Sequence, residues 1–173
     1  MSCHRRTGLQ ILAGLLVGCL SWSVSPAWAF DAPTGKVILK VSGHIGVTNV
    51  GKEAHFDLAM LQKLPAHTFT TLTPWDHQPT KFTGPLLRDV IAAVKGVGAS
   101  VQATALNDYK IRIPLSDAHT HDVVVAYAIN DQPISIRTKG PLFVIYPFDS
   151  KPELKSNVYY ERSIWQLKAL DLQ

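Results

Sequence analysis

From residue 37 onward the chain alternates short β-branched runs with two stripes of helical spacing. Val37 to Val41 is a continuous β-rich run closed by Ser42-Gly43, and Glu53 to Phe56 can pair with it across the Asn49-Val50-Gly51 turn. Asp57 suits the N-cap of a short helix over Leu58 to Leu64, where Leu58, Leu61 and Leu64 recur at helical spacing before Pro65 ends it. Thr68 to Thr73 reads as a strand, broken by the loop Pro74-Trp75-Asp76-His77-Gln78-Pro79. The clearest helix follows Thr83-Gly84-Pro85, with proline in its first turn, Leu87, Val90, Ile91 and Val94 on one stripe, and Gly96 as the stop. Beyond Ser100 the pattern is mostly strand: Val101 to Leu106, Tyr109 to Ile113, Val123 to Ile129, Leu142 to Tyr146 and Trp165 to Leu172. This order predicts an α+β fold, a single strand-rich mixed domain with two or three helices.

The first residues have a different pattern. Arg5-Arg6 precedes an apolar run from Leu9 to Leu20 and then Ala27-Trp28-Ala29, a small-x-small cleavage site, so residues 1–29 read as a signal peptide and residues 30–173 as the mature domain. A periplasmic or secreted location follows. Two other readings of the segment stay open: Arg5-Arg6-Thr7-Gly8-Leu9 partly matches a twin-arginine signal, and Leu16-Val17-Gly18-Cys19 a lipoprotein box that would leave a lipid anchor on Cys19. After residue 30 no apolar stretch is long enough to span a bilayer.

Cleavage changes the composition in two ways that bear on function. It removes Arg5 and Arg6, so the net charge of +4 for 173 residues falls to +2, and with no basic cluster left nucleic acid is excluded as a partner. It also removes Cys3 and Cys19, the two cysteines of the chain, so the mature domain has neither disulfides nor a thiol nucleophile.

Most candidate motifs have structural explanations. Gly46 to Lys52 has phosphate-loop spacing, but Glu53 stands where a magnesium-binding hydroxyl is needed, so the segment reads as a turn. His119-Thr120-His121 lacks a third ligand at diagnostic spacing and sits beside Asp117 and Asp122, which points to a solvated polar loop, and no metal site is assigned. There is no Gly-x-Ser-x-Gly elbow for a hydrolase. Asn107-Asp108-Tyr109 is a hairpin turn or the rim of a site. Tyr159-Tyr160 reads as an exposed aromatic pair.

Six blocks in order carry a family resemblance: Phe82 to Val90, Ala105 to Tyr109, Ile113 to Ala118, Val124 to Asn130, Gly140-Pro141-Leu142 with Pro147, and Ser163-Ile164-Trp165. Over roughly Lys36 to Leu172 the chain resembles the molybdopterin-binding domain of the sulfite oxidase superfamily, in its small periplasmic branch. The resemblance implies the sulfite oxidase molybdopterin-binding fold around a molybdenum cofactor, with oxo transfer to a small oxyanion or sulfoxide. It also implies a metal-holding cysteine within the segment Thr70 to Pro74, an arginine at Phe143 and a lysine at Ile164, and this chain has none of the three. Thiolate ligation of molybdenum is therefore impossible in the mature chain, and hydroxyls of Thr71 or Thr73 are poor substitutes for a soft ligand.

The resemblance places Trp75, Asp76 and His77, Asn107 and Tyr109, and Arg137 with Lys139 around one cleft as cofactor- or anion-binding candidates. Arg137 is the first choice for an oxyanion, because a guanidinium donates two parallel hydrogen bonds. Without the thiolate, a non-catalytic periplasmic binding or sensory module is favoured, with a small anion, a pterin or a periplasmic partner protein as its ligand. A molybdopterin oxidoreductase of altered ligation is the alternative. The leader reading has a direct outcome: intact mass of the exported protein should show Phe30 as the first residue, whereas a diacylated species beginning at Cys19 would overturn it.

Overall fold

The computed structural model describes residues 31–173, so the expected signal peptide and cleavage site, with Cys3 and Cys19, lie outside the described residues. The elements are β1 (Leu39–Gly43), β2 (Ala54–Phe56), α1 (Leu58–Lys63), β3 (Ala66–Thr71), β4 (Thr80–Pro85), α2 (Leu87–Ala93), β5 (Ser100–Ala105), β6 (Lys110–Pro114), α3 (Leu115–Thr120), β7 (Val124–Ala126), β8 (Ala128–Ile129), β9 (Gln132–Pro133), β10 (Phe143–Ile145), a 3₁₀ turn (Pro152–Leu154), α4 (Asn157–Arg162) and β11 (Leu167–Leu172). The fold is α+β and strand-dominated. Among the described residues no helix is long and apolar enough to cross a membrane.

A five-stranded sheet in the order β2-β1-β11-β5-β6 forms one wall, with β1 parallel to β11 and the other pairs antiparallel. Period-2 alternation turns Leu39, Val41, Val101, Ala103, Leu170 and Leu172 inward, all essentially inaccessible. The opposing layer is the four-stranded sheet β3-β4-β8-β9 together with the pair β7-β10. Gly84 permits that layer to close: a Cβ there would lie 2.1 Å from the Val125 carbonyl oxygen, so only hydrogen fits between β4 and β7.

Asp57 caps α1 as expected, its Oδ1 accepting from the Met60 N–H at 2.9 Å. The Leu87, Val90, Ile91 and Val94 stripe is buried. Helix α2 ends near the expected place by a Schellman closure, Gly96 N–H to Ile91 O and Lys95 N–H to Ala92 O. The left-handed residue there is Lys95, with φ 49°, so Gly96 supplies a hydrogen bond and lets Lys95 make the turn. Asn49 organises the turn before β2 by accepting the His55 N–H at 2.7 Å and donating to the His55 carbonyl at 2.8 Å.

Five expectations are corrected. Thr83-Gly84-Pro85 does not open a helix: it ends β4, which pairs with β3 on one side and β8 on the other, and α2 begins at Leu87. Val123 to Ile129 is two strands, because the chain leaves β10 after Ala126 and pairs with β4 from Ala128. The polar stretch around His119 and His121 is the helix α3, with Asp117 and His121 buried and His119 exposed. Tyr159 and Tyr160 are half-buried on α4 and packed on Tyr146 and Phe148, at centroid distances of 5.2 and 5.0 Å. Trp165 precedes the last strand, which starts at Leu167 after Gln166 turns at φ 51°.

Truncation of the α2 stripe tests the core. Val90→Ala should lose about 1–3 kcal/mol in a urea titration through lost burial and a residual cavity, and a loss under about 0.5 kcal/mol would mean that the stripe does not face a packed interior.

Candidate functional site

Three loops distant in sequence meet over one end of the five-stranded sheet: the segment after β3, the β5–β6 turn, and the stretch from α4 into β11. They enclose an open cleft of about 240 Å³ lined by Trp75, Ala105, Asn107, Tyr109, Glu161, Ser163, Ile164, Trp165 and Gln166. Gln166 joins them. Its backbone N–H donates to the Lys139 carbonyl at 2.9 Å, and its carbonyl accepts from Leu106 N–H at 2.8 Å. Its side-chain amide donates to the Ile136 and Thr138 carbonyls at 2.8 and 3.2 Å, which brings the 134–140 loop into the same assembly.

The β5–β6 turn is shaped locally. Asn107 Oδ1 accepts from Tyr109 N–H at 3.1 Å, Asp108 takes the left-handed conformation at φ 66°, and Lys168 of β11 donates to Asp108 at 2.6 Å. Asn107 and Tyr109 are left exposed at the cleft mouth.

Behind the mouth, Trp75 packs against four rings, edge-on with Trp165 at 5.5 Å, Phe148 at 6.1 Å and Tyr160 at 6.2 Å and tilted against Phe143 at 6.1 Å. The Lys139 ammonium sits within this enclosure, 5.4 Å from the Trp165 ring centroid and 6.0 Å from those of Trp75 and Phe143. Both oxygens of Asp76 accept from it, at 2.9 and 2.8 Å. Partial burial works against ionisation of Asp76, but the hydrogen bonds from Lys139 and Thr73 outweigh it and hold the carboxyl below the usual aspartate range.

The two threonines of the segment expected to bear the metal ligand are committed elsewhere. Thr73 Oγ1 donates to Asp76 Oδ2 at 2.9 Å and accepts the N–H groups of Trp75 and Asp76 at 3.2 and 3.1 Å, which uses its full hydrogen-bonding capacity. Thr71 Oγ1 donates to Asp149 Oδ2 at 3.1 Å and accepts from Asp149 N–H at 3.0 Å, while Leu72 N–H donates to the same carboxylate at 2.6 Å. Hydrogen bonds from Lys155 and Leu72 hold the Asp149 carboxyl low.

Helix α4 is anchored from below. Asp117, only 6% exposed, accepts from Tyr146 Oη and Arg162 Nη1, each at 2.8 Å, so Arg162 compensates a buried charge rather than facing the cleft as a spare cation. Burial and the neighbouring carboxylate raise the Tyr146 hydroxyl far above its ordinary range, so it stays a donor. His121 packs edge-on against Tyr159 at 5.5 Å.

Of the seven candidates, Trp75, Asn107 and Tyr109 line the cleft, and Asp76 and Lys139 form the ion pair behind its aromatic wall. His77 is exposed beside that pair and outside the lining; its charge contributes to keeping Asp76 ionised. Arg137 is also exposed and outside the lining, in the loop where its N–H donates to Ser135 Oγ at 3.2 Å. Glu161, Ser163 and Gln166 were not anticipated. The nearest signal was the Ser163-Ile164-Trp165 block, while reading Trp165 to Leu172 as one strand hid that Gln166 turns at the cleft. Phe143 and Ile164, where the resemblance implies cations, are buried apolar residues.

A family model described as the oxidoreductase molybdopterin binding domain matches residues 36–148, well over half of the chain. The chain belongs to this family. No curated protein sequence matches it. The family's cofactor has a metal and an organic ring, and the residues here fit them unequally. The molybdopterin-binding domain of this chain has no thiolate among residues 31–173, both threonine hydroxyls are engaged, and no group of three His, Cys, Asp or Glu side chains that could hold a metal occurs among the described residues. The donor set does not fit molybdenum. The aromatic and amide lining does fit a flat, polar ring.

The low carboxyl pKa values give a signed pH dependence. Stability from Asp76 and Asp149 is fully present above the unfolded aspartate value of about 3.9 and is lost as pH falls through the lower folded-state values. Denaturant titrations from pH 6 to pH 2 should show wild-type stability falling on the acid side, and Asp149→Asn should be weaker at pH 6 but less acid-sensitive. Equal slopes for the two would contradict the assignment.

Proposed function

We propose that this molybdopterin-binding-domain protein is a non-catalytic periplasmic binding or sensory module that takes a pterin-type ring, without ligated molybdenum, in the Trp75–Trp165 cleft. The observation that carries the reading is the engagement of Thr71 and Thr73: where the family's metal ligand is implied, the hydroxyls are used to build turns with Asp149 and Asp76. Periplasmic placement rests on the leader Arg5 to Ala29.

Of the two small-ligand classes, an anion and a pterin, the cleft suits the ring. It offers the indoles of Trp75 and Trp165 and the phenol of Tyr109 as flat surfaces, with Asn107, Ser163 and Gln166 as polar groups. Glu161 adds a carboxylate, and the fused pyrimidinone of a pterin presents two adjacent N–H donors of the kind a carboxylate accepts. Among the described residues, no lysine or arginine lines it. At about 240 Å³ the cleft is below the ~300–1,000 Å³ common for drug-sized ligands, which matches a bicyclic ring better than a large conjugated cofactor.

The test joins elemental analysis with ligand titration on protein purified from a host that makes the molybdenum cofactor. Molybdenum well below one equivalent is expected, with saturable quenching of tryptophan fluorescence by 6-hydroxymethylpterin that weakens at least tenfold in Trp165→Ala. Stoichiometric molybdenum would restore the oxidoreductase alternative, and absence of pterin quenching would reject the ligand class.

A further inference from the structure

We propose that Asp76 is the charge selector of the cleft: by engaging the Lys139 ammonium with both carboxylate oxygens it cancels the cation nearest the aromatic wall and directs the site toward uncharged rings and away from anionic ones. This rests on the binding reading above and deepens it by naming the ligand's charge class.

Three observations converge. The Lys139 ammonium is close to both indoles of the cleft, 5.4 Å from the Trp165 centroid and 6.0 Å from that of Trp75, so an unneutralised charge there would be felt by a ring stacked on either. Asp76 is rigidly aimed, because Thr73 Oγ1 donates to its Oδ2 and accepts its own N–H, closing a turn that leaves the carboxylate little rotational freedom. Two other cations near the cleft are compensated and a third is withdrawn. Arg162 is bonded to Asp117, Lys168 to Asp108, and Arg137 is outside the lining, whereas Glu161 leaves the lining itself with a negative charge. A phosphate or carboxylate on the ligand therefore meets no countercharge in the described lining and is repelled by Glu161, while a neutral ring loses nothing.

Removing the neutralising carboxylate should create an anion site. The variant Asp76→Asn keeps the side chain's size and one acceptor oxygen but removes the negative charge, leaving Lys139 uncompensated. Three probes read the change through tryptophan fluorescence: neutral 6-hydroxymethylpterin, anionic pterin-6-carboxylate, and sulfate alone. Wild type should prefer the neutral ring at least tenfold and show no saturable response to sulfate. In Asp76→Asn the preference should narrow at least tenfold and sulfate should bind. Both gains should vanish in the double variant Asp76→Asn with Lys139→Met, whose unchanged circular dichroism spectrum confirms folding.

Should Asp76→Asn fail to fold, Lys139→Met alone carries the test, since it leaves an unpaired Asp76 and should weaken pterin-6-carboxylate relative to the neutral ring by a further tenfold. A pterin preference and sulfate response unaltered by folded variants would overturn the selector. Absence of pterin binding in wild type with sulfate binding gained in Asp76→Asn would reject the pterin reading and leave the charge switch standing.

Discussion

An ammonium ion held among three aromatic rings is the constraint on which the cleft is built. Lys139 reaches into the space between Trp75, Phe143 and Trp165, where water is largely displaced, and a lysine in such surroundings needs both a countercharge and electron-rich faces. Asp76 supplies the first and the indoles the second. Meeting that requirement fixes the segment after β3 against the 134–140 loop, since Asp76 and Lys139 are 63 residues apart in the chain. The backbone of the same lysine receives the Gln166 N–H, so one residue pins the third loop as well.

Where the resemblance implies the family's thiolate, this chain carries hydroxyls. Cysteine offers a soft, polarizable ligand and makes only weak hydrogen bonds, whereas threonine offers a hydroxyl that donates once and accepts twice. Thr71 uses that capacity on remote Asp149, tying the segment to another loop, and Thr73 uses it on Asp76, closing a local turn. The same loops converge, with aromatic surface and amides instead of a metal ligand and cations. Phe143 and Ile164 complete the change, filling with apolar bulk the positions where arginine and lysine are implied.

Local signals were readable from residues alone wherever one element satisfied itself. The Asp57 cap, the α2 stripe, the Asn49 turn and the Asn107-Asp108 hairpin needed no distant partner, and each stands where its pattern placed it. What escaped depends on contacts between remote segments. Pro85 suggests a helix start by itself, but pairing of Thr80–Pro85 with strands on both sides outweighs that preference. The polar run ending at His121 reads as loop until Tyr146 and Arg162, 29 and 45 residues on, bury Asp117. Within the site, the resemblance named Trp75, Asn107 and Tyr109 from two of the three cleft loops, but the α4–β11 stretch that forms the third was not among its candidates. The neutralisation of Lys139 and the role of Glu161 were not legible either, because neither a pairing partner nor the direction of a side chain is encoded in spacing.

The position of β11 bears on when this protein can begin to fold. The last strand in chain order lies at the centre of the five-stranded sheet, parallel to β1 on one side and antiparallel to β5 on the other. Until it arrives, β1 and β5 present unpaired edges to each other across a gap one strand wide, and Gln166, which gathers the cleft loops at the start of that strand, is absent too. A chain in which β11 has not yet formed therefore keeps two sheet edges open, exposed to any holdase that meets it. Completion of the wall and convergence of the cleft loops then occur together, on the arrival of this one strand.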